Sequence, residues 1–362
     1  MDRRWLRGVA ALIVFGIATA AGVVLFGRFD DTTRVDPVAG NLATADSWAL
    51  ILTLAVILAA ITYFGLEYLQ TRRLASLEGQ FTTRTFALMP VAIALNIVLG
   101  GAVANAIKLP IYLDSIGTIL VGVLCGPIAG ALTGAVTNLL WSYVIPPPFQ
   151  SASAAGFAVT AVVIGLIAGV VGRAGLLRPR PDRPPRELLI GGALTVGLIL
   201  VMSYLAVLGY RTVFQANPEL APSNDNAILV ILGWIALALV ALTVVGLVVL
   251  LAIRRDLTAA YVVVCGVMTG IIAALISAPI AAGVYGGVTG SGTDFLVAAF
   301  RQAGADVRAA TLGQGLISDP IDKVTTFFVV YIILNAMARR TKARFPQGER
   351  LLDTGDVREA YA

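Results

Sequence analysis

A chain of 362 residues that is 58% hydrophobic and 13% charged, with a mean hydropathy of +0.88, is not a soluble domain but a polytopic membrane protein. Its net charge of +5 requires no nucleic-acid partner, because topology itself places basic residues in inner loops, where anionic lipid attracts them. The absence of histidine excludes His-dependent triads, His metal ligands and imidazole proton relays. No catalytic residue, metal or cofactor is expected.

Apolar windows of about 20 residues, the length that spans a bilayer as a helix, run over Gly8–Gly27, Trp48–Tyr68, Phe86–Ile107, Ile111–Leu124, Pro127–Val144, Phe157–Gly172, Leu188–Gly209, Ala227–Ile253, Thr258–Ala278 and Ile321–Ala338. They predict an all-α membrane helix bundle of about ten crossings. With the N-terminus inside, only Arg28, Arg34, Lys108, Arg211, Arg301, Arg308 and Lys323 fall on outer segments, and every other lysine and arginine is inner. Cytoplasmic loops carry such an excess, so a multi-pass plasma-membrane protein with both termini cytoplasmic is expected.

Residues 1–84 read as an N-terminal helix pair and a basic inner linker. The first apolar run continues through Phe26, which favours a retained helix over a cleaved leader. Trp48 and Tyr68 bracket the second run as interfacial anchors. Residues 85–177 hold four helices. In the first, Gly100 and Ala104 lie four apart, a spacing that lets helices approach closely in lipid.

Gly126-Pro127 then breaks the chain, since Pro127 lacks an amide hydrogen and suits the first turn of a new helix. Gly126, Gly130 and Gly134 form one stripe of that helix, read as a packing face. Thr133, Thr137 and Asn138 add polar groups that either line a cavity or bond neighbouring backbone. Cys125 and Cys265 sit in apolar runs as small hydrophobes.

Residues 178–257, opening on a stretch rich in proline and arginine, form an inserted helix pair. The pair leaves and returns on the inner side, so removing it leaves a six-helix body. Residues 258–340 supply the last two helices of that body. Between them, Ala278 to Ser318 is a long, glycine-rich outer segment, a candidate lid in which Phe295 and Phe300 suit a short interfacial helix. Residues 341–362 form a cytoplasmic tail.

Two polar places interrupt the apolar pattern: Asp114-Ser115 and Ser318-Asp319-Pro320-Ile321-Asp322-Lys323. Helix capping explains both, with Asp319 as N-cap, Pro320 in the first turn and Asp322 favoured by the helix dipole. Ligand binding explains them equally, because ionisable residues near membrane depth mark functional sites. Because asparagine is also a good cap, Asp114→Asn and Asp322→Asn are expected to leave stability nearly unchanged, while a ligand site predicts binding weakened at least about tenfold.

A proline-led loop, a short helix opening near Tyr112 to Thr118, and Gly126-Pro127-Ile128-Ala129-Gly130 leading into a glycine-rich helix together resemble the substrate-binding membrane subunits (S components) of energy-coupling factor (ECF) transporters. The run Ser318 to Lys323 resembles them too. The likeness covers about a third of the chain, and the N-terminal and inserted pairs depart from the usual six helices. It implies a substrate site at Tyr112, Asp114, Asp319, Asp322 and Lys323, to which Asn138 is added as a polar neighbour. It also implies a vitamin-like or other micronutrient substrate taken from outside, a separate ECF coupling membrane subunit and separate ATP-binding subunits. The sequence agrees in lacking a phosphate-binding loop, since none of its lysines follows a glycine. A membrane-embedded ligand sensor is the alternative. An ion-coupled secondary transporter is a further one, weakened because Gly126-Pro127 falls near the cytoplasmic edge rather than at mid-membrane.

Overall fold

The computed structural model describes residues 3–26, 37–103, 111–147, 149–181, 184–193, 195–197, 200, 204 and 227–352. Among these, every regular element is helical. The helices are α1 (Arg3–Phe26), α2 (Pro37–Thr71), the short α3 (Ala75–Glu78), α4 (Thr83–Ala102), α5 (Ile116–Cys125), α6 (Pro127–Tyr143), α7 (Ala158–Arg173), α8 (Ala227–Ala252), α9 (Thr258–Tyr285), α10 (Asp294–Gln302), α11 (Val307–Ala336) and α12 (Arg339–Ala343). Ala104 and Lys108 lie outside the described residues, as do half of Leu188–Gly209 and the tail beyond residue 352.

Five helices among the described residues are long and apolar enough to cross a membrane: Leu6–Leu25, Leu54–Thr71, Thr83–Ala102, Ala154–Arg173 and Thr258–Tyr285. The chain is therefore a multi-pass membrane protein. Leu12 and Val24 of α1 are 71% and 83% exposed, which suits a face solvated by lipid. α1 packs on α2, with Arg7 paired to Glu67 at 3.3 Å in a buried contact and Glu67 accepting from the Ser76 hydroxyl at 2.7 Å.

The expected crossing over Ile111–Leu124 is not a full-length helix. Ile111 to Ser115 is non-helical, and α5 has 10 residues, a rise of about 15 Å against a hydrocarbon core of about 30 Å. All ten residues of α5 are buried, packed by α4, α6, α7 and α11. A helix apolar on every side needs such an enclosed position when it has no lipid-facing stripe.

The turn at Gly126 is as expected: φ is 127°, and Pro127 opens α6. Two glutamines satisfy the helix ends that meet there. Gln80 Oε1 accepts the N–H groups of Ile128 at 2.9 Å and Ala129 at 3.4 Å, capping α6. The N–H of Gln347 donates to Leu124 O at 2.8 Å, and its side-chain amide donates to Gly122 O at 3.1 Å. Each helix end otherwise leaves backbone groups without partners.

The glycine stripe is a packing face. A Cβ at Gly130 would lie 2.6 Å from Gly122 Cα and 2.8 Å from Gly165 O, and one at Gly134 would lie 2.6 Å from Ala161 O. Gly100 instead faces side chains, the Trp141 ring and Asp114.

The last helix corrects the capping assignment. α11 begins at Val307, thirteen residues before the proline, with Asp306 as its N-cap accepting Ala309 N–H at 2.7 Å. Asp319 and Pro320 are thus mid-helix. Pro320 removes one intrahelical bond and crowds the carbonyl four residues back, which membrane helices tolerate where neighbours pack closely. α9 does so here, because a Cβ at Gly270 would run into the Pro320 backbone. The outer segment is also shorter than expected: α9 continues to Tyr285, and α10 occupies Asp294–Gln302, so Phe295 and Phe300 are indeed helical.

Candidate functional site

Three pieces of chain meet beside the N-terminus of α5. The first is the non-helical Ile111 to Ser115, in which Leu113 takes φ of 51°, a left-handed conformation uncommon for a residue with a Cβ. The second is the middle of α11. The third is α4, whose Asn96 is fully buried. Asn96 Oδ1 accepts Gly117 N–H at 2.7 Å, while its amide donates to Thr118 at 3.0 Å and Thr137 at 3.2 Å. Asn96 therefore caps α5 from a neighbouring helix, and Ser115, at the N-cap position, makes no side-chain cap bond.

Ser115 is free to meet Lys323, whose ammonium donates to its hydroxyl at 2.9 Å. Lys323 also pairs with Asp322 and lies 3.8 Å from Asp114 Oδ1. Asp322 Oδ1 accepts the N–H of Leu113 at 2.7 Å. Asp322 is wholly buried and acts as an internal tie, so asparagine there is not the harmless replacement that capping predicts. A buried ion pair that loses one partner leaves the other charge uncompensated.

Around this cluster is a cavity of about 470 Å³ lined by Tyr112, Asp114, Ser115, Asn138, Asp319 and Lys323 among others. Five of the six residues picked from sequence thus line one cavity, and Asp322 stands behind it, bonded to Lys323. Trp141, Phe157 and Tyr285 also line the cavity, and Phe157 stacks on Tyr285 with centroids 5.5 Å apart. Asp319 accepts the hydroxyls of Ser318 at 3.3 Å and Ser277 at 3.5 Å, both long for O–H···O bonds.

The segment after α9 contributes to the cavity lining through Thr289, Gly290 and Ser291. Ser153 donates to Thr289 O at 2.8 Å, and the Tyr112 and Thr293 hydroxyls lie 2.8 Å apart. Asp294, at the start of α10, fixes the turn by accepting from Thr289 N–H, the Thr289 hydroxyl and Gly290 N–H.

Sequence reasoning missed Gln150 to Ala154, Ser277, Tyr285 and Thr289 to Ser291 as lining residues. For Gln150 to Ala154 and Thr289 to Ser291 the one signal was the serine, threonine and glycine of those loops, and Ser277 and Tyr285, inside α9, carried none. Asn96 showed only as an amide inside an apolar run, where a polar group needs a partner. Compared with known proteins, the chain matches no protein-family model, no curated protein and no solved structure.

Proposed function

We propose that this chain is the substrate-binding membrane subunit of an ECF-type importer, capturing a vitamin-like or other micronutrient small molecule from outside the cell. One observation carries the reading: a mainly apolar, ring-lined cavity of about 470 Å³ holding a few charged and polar side chains, at the end of the bundle opposite its arginine-rich end. Volumes of this size suit small-molecule ligands. At the other end, Arg350 donates to Arg173 O at 2.8 Å, Leu257 N–H donates to Arg180 O at 3.2 Å, and Gln347 reaches Leu124. The positive-inside rule assigns that end to the cytoplasm and the cavity to the outside. The packing of α4, α5, α6 and α7 with α9 and α11 supports a six-helix body, with the N-terminal and inserted pairs as additions.

Isolation of the full chain in mild detergent tests the proposal. An importer subunit copurifies with a coupling membrane protein and ATP-binding subunits, and the assembly takes up its ligand only with ATP. A histidine kinase or other regulator in their place makes the chain a sensor. One observation favours a second reading, an ion-coupled transporter: the short α5 starts from a non-helical segment beside the buried Asp322 and Lys323, as broken helices do in such proteins. Uptake by the chain alone in vesicles, driven by an ion gradient without ATP, selects that reading.

A further inference from the structure

We propose that the cavity takes a small organic cation, its positive group at the Asp114 and Asp319 carboxylates and its apolar body against Trp141, Phe157 and Tyr285. This rests on reading the cavity as a ligand site and adds the charge class of what it holds. Asp114 and Asp322 pair with one ammonium, Lys323, and a third carboxylate, Asp319, lines the same cavity.

An ammonium has three hydrogens to give and accepts nothing. Lys323 donates to Asp322 and Ser115, and Asp114 lies 3.8 Å from its nitrogen as an ion contact. Lys323 is also the one basic side chain lining the cavity among the described residues. An anionic ligand would therefore find that cation already paired with two carboxylates and would also meet Asp319 in the lining.

Asp322 is neutralised by Lys323 and holds Leu113 N–H. Asp319 is different: it lines the cavity, is 5% exposed, and receives two long hydroxyl contacts. Asp114 is the most open of the three, its side chain 27% exposed and its ion contact 3.8 Å. Carboxylates withdrawn from water need a counter-charge or short hydrogen bonds, and a ligand cation supplies both. Aromatic residues lining the same cavity favour a cation with an apolar body, because a ring face attracts positive charge. Among the described residues no group of three or more carboxylate, thiol or imidazole side chains is arranged to hold a metal ion, which favours an organic cation over a metal.

The test uses the purified full chain in detergent with three probes of matched shape: 2-phenylethylammonium, 2-phenylethanol and phenylacetate. Thermal unfolding is followed against probe concentration for the native chain, Asp319→Asn and Asp114→Asn. The ammonium is expected to half-saturate at a concentration at least about tenfold below the alcohol, and phenylacetate to give no stabilisation; tenfold corresponds to about 1.4 kcal/mol. Each asparagine variant should reduce the ammonium's advantage. Asp114→Asn, at the more open position, keeps the test valid if Asp319→Asn does not fold.

An alcohol or acid that binds as well as the ammonium overturns the charge class and leaves the cavity a ligand site. An ammonium advantage that survives unchanged in the asparagine variants that fold also overturns it. If none of the three stabilises the chain, the inference fails together with the ligand-site reading.

Discussion

The carboxylate of Asp322 accepts the backbone N–H of Leu113 at 2.7 Å, joining the middle of α11 to the non-helical chain that precedes α5. Leu113 holds φ of 51°, a conformation that costs free energy for a residue with a Cβ and persists where surrounding structure fixes it. The same carboxylate pairs with Lys323. One side chain thus holds the backbone of the cavity wall and compensates the buried ammonium. Asp322→Asn is expected to lower stability by about 3–5 kcal/mol, as when one partner of a buried pair is removed. Adding Lys323→Met should recover part of that loss. Unfolding of both variants in the same detergent measures the difference, and equal stability of native chain and single variant would refute the internal tie.

Asp114 behaves differently because it is partly open and its ion contact with Lys323 is 3.8 Å. Asp114→Asn is expected to change stability by less than about 1 kcal/mol. Its effect on ligand binding should be at least about tenfold, since a charged hydrogen bond contributes about 1.5–3 kcal/mol. Titration with the ligand retained by the purified chain checks this, and unchanged affinity would leave Asp114 no role beyond local structure.

Asn96 serves three polar groups at once, Gly117 N–H and the Thr118 and Thr137 hydroxyls. Asn96→Ala leaves a buried helix N-terminus uncapped and should cost about 2–3 kcal/mol. Thermal unfolding of the variant against the native chain reads this directly.

Close approach of α9 and α11 depends on Gly270, where an added Cβ would meet Pro320 next to Asp319. Gly270→Ala is expected to cost about 1–3 kcal/mol by overpacking and to weaken ligand binding by moving Asp319. Gly283→Ala is the matched control in the same helix: a Cβ there meets nothing within 4 Å, and neither property should fall. Parallel loss in both variants would mean that general helix effects, not the contact with Pro320, are responsible.

Orientation is tested with reporters. Fusions after Ala362 and at Arg180 should report the cytoplasm, and an insertion near Gly304 the exterior. A cytoplasmic signal at Gly304 would put the cavity on the inner side and remove the support for import.

Composition and the run of apolar windows were enough to establish a multi-pass helical membrane protein, because burial in lipid acts on each segment through its own residues. The break at Gly126-Pro127 was equally local, since a missing amide hydrogen and a backbone that tolerates φ of 127° belong to the residues themselves. The polar residues at 112–115 and 318–323 were visible for the same reason, as exceptions in apolar sequence.

Tertiary structure decided what those residues do. Pro320 reads locally as a helix start, yet Asp306 caps α11 and Gly270 accommodates the proline within it. Asp322 reads as a first-turn acid, yet it meets Leu113 across 209 positions of sequence. Asn96 caps a helix other than its own, and Gln80 and Gln347, which lie between helices, cap α6 and α5. Such bonds form only when packed helices bring distant groups within about 3 Å, and local periodicity carries no record of that distance. The division between a carboxylate that ties the fold together and one that faces a cavity was therefore set by packing, not by residue type.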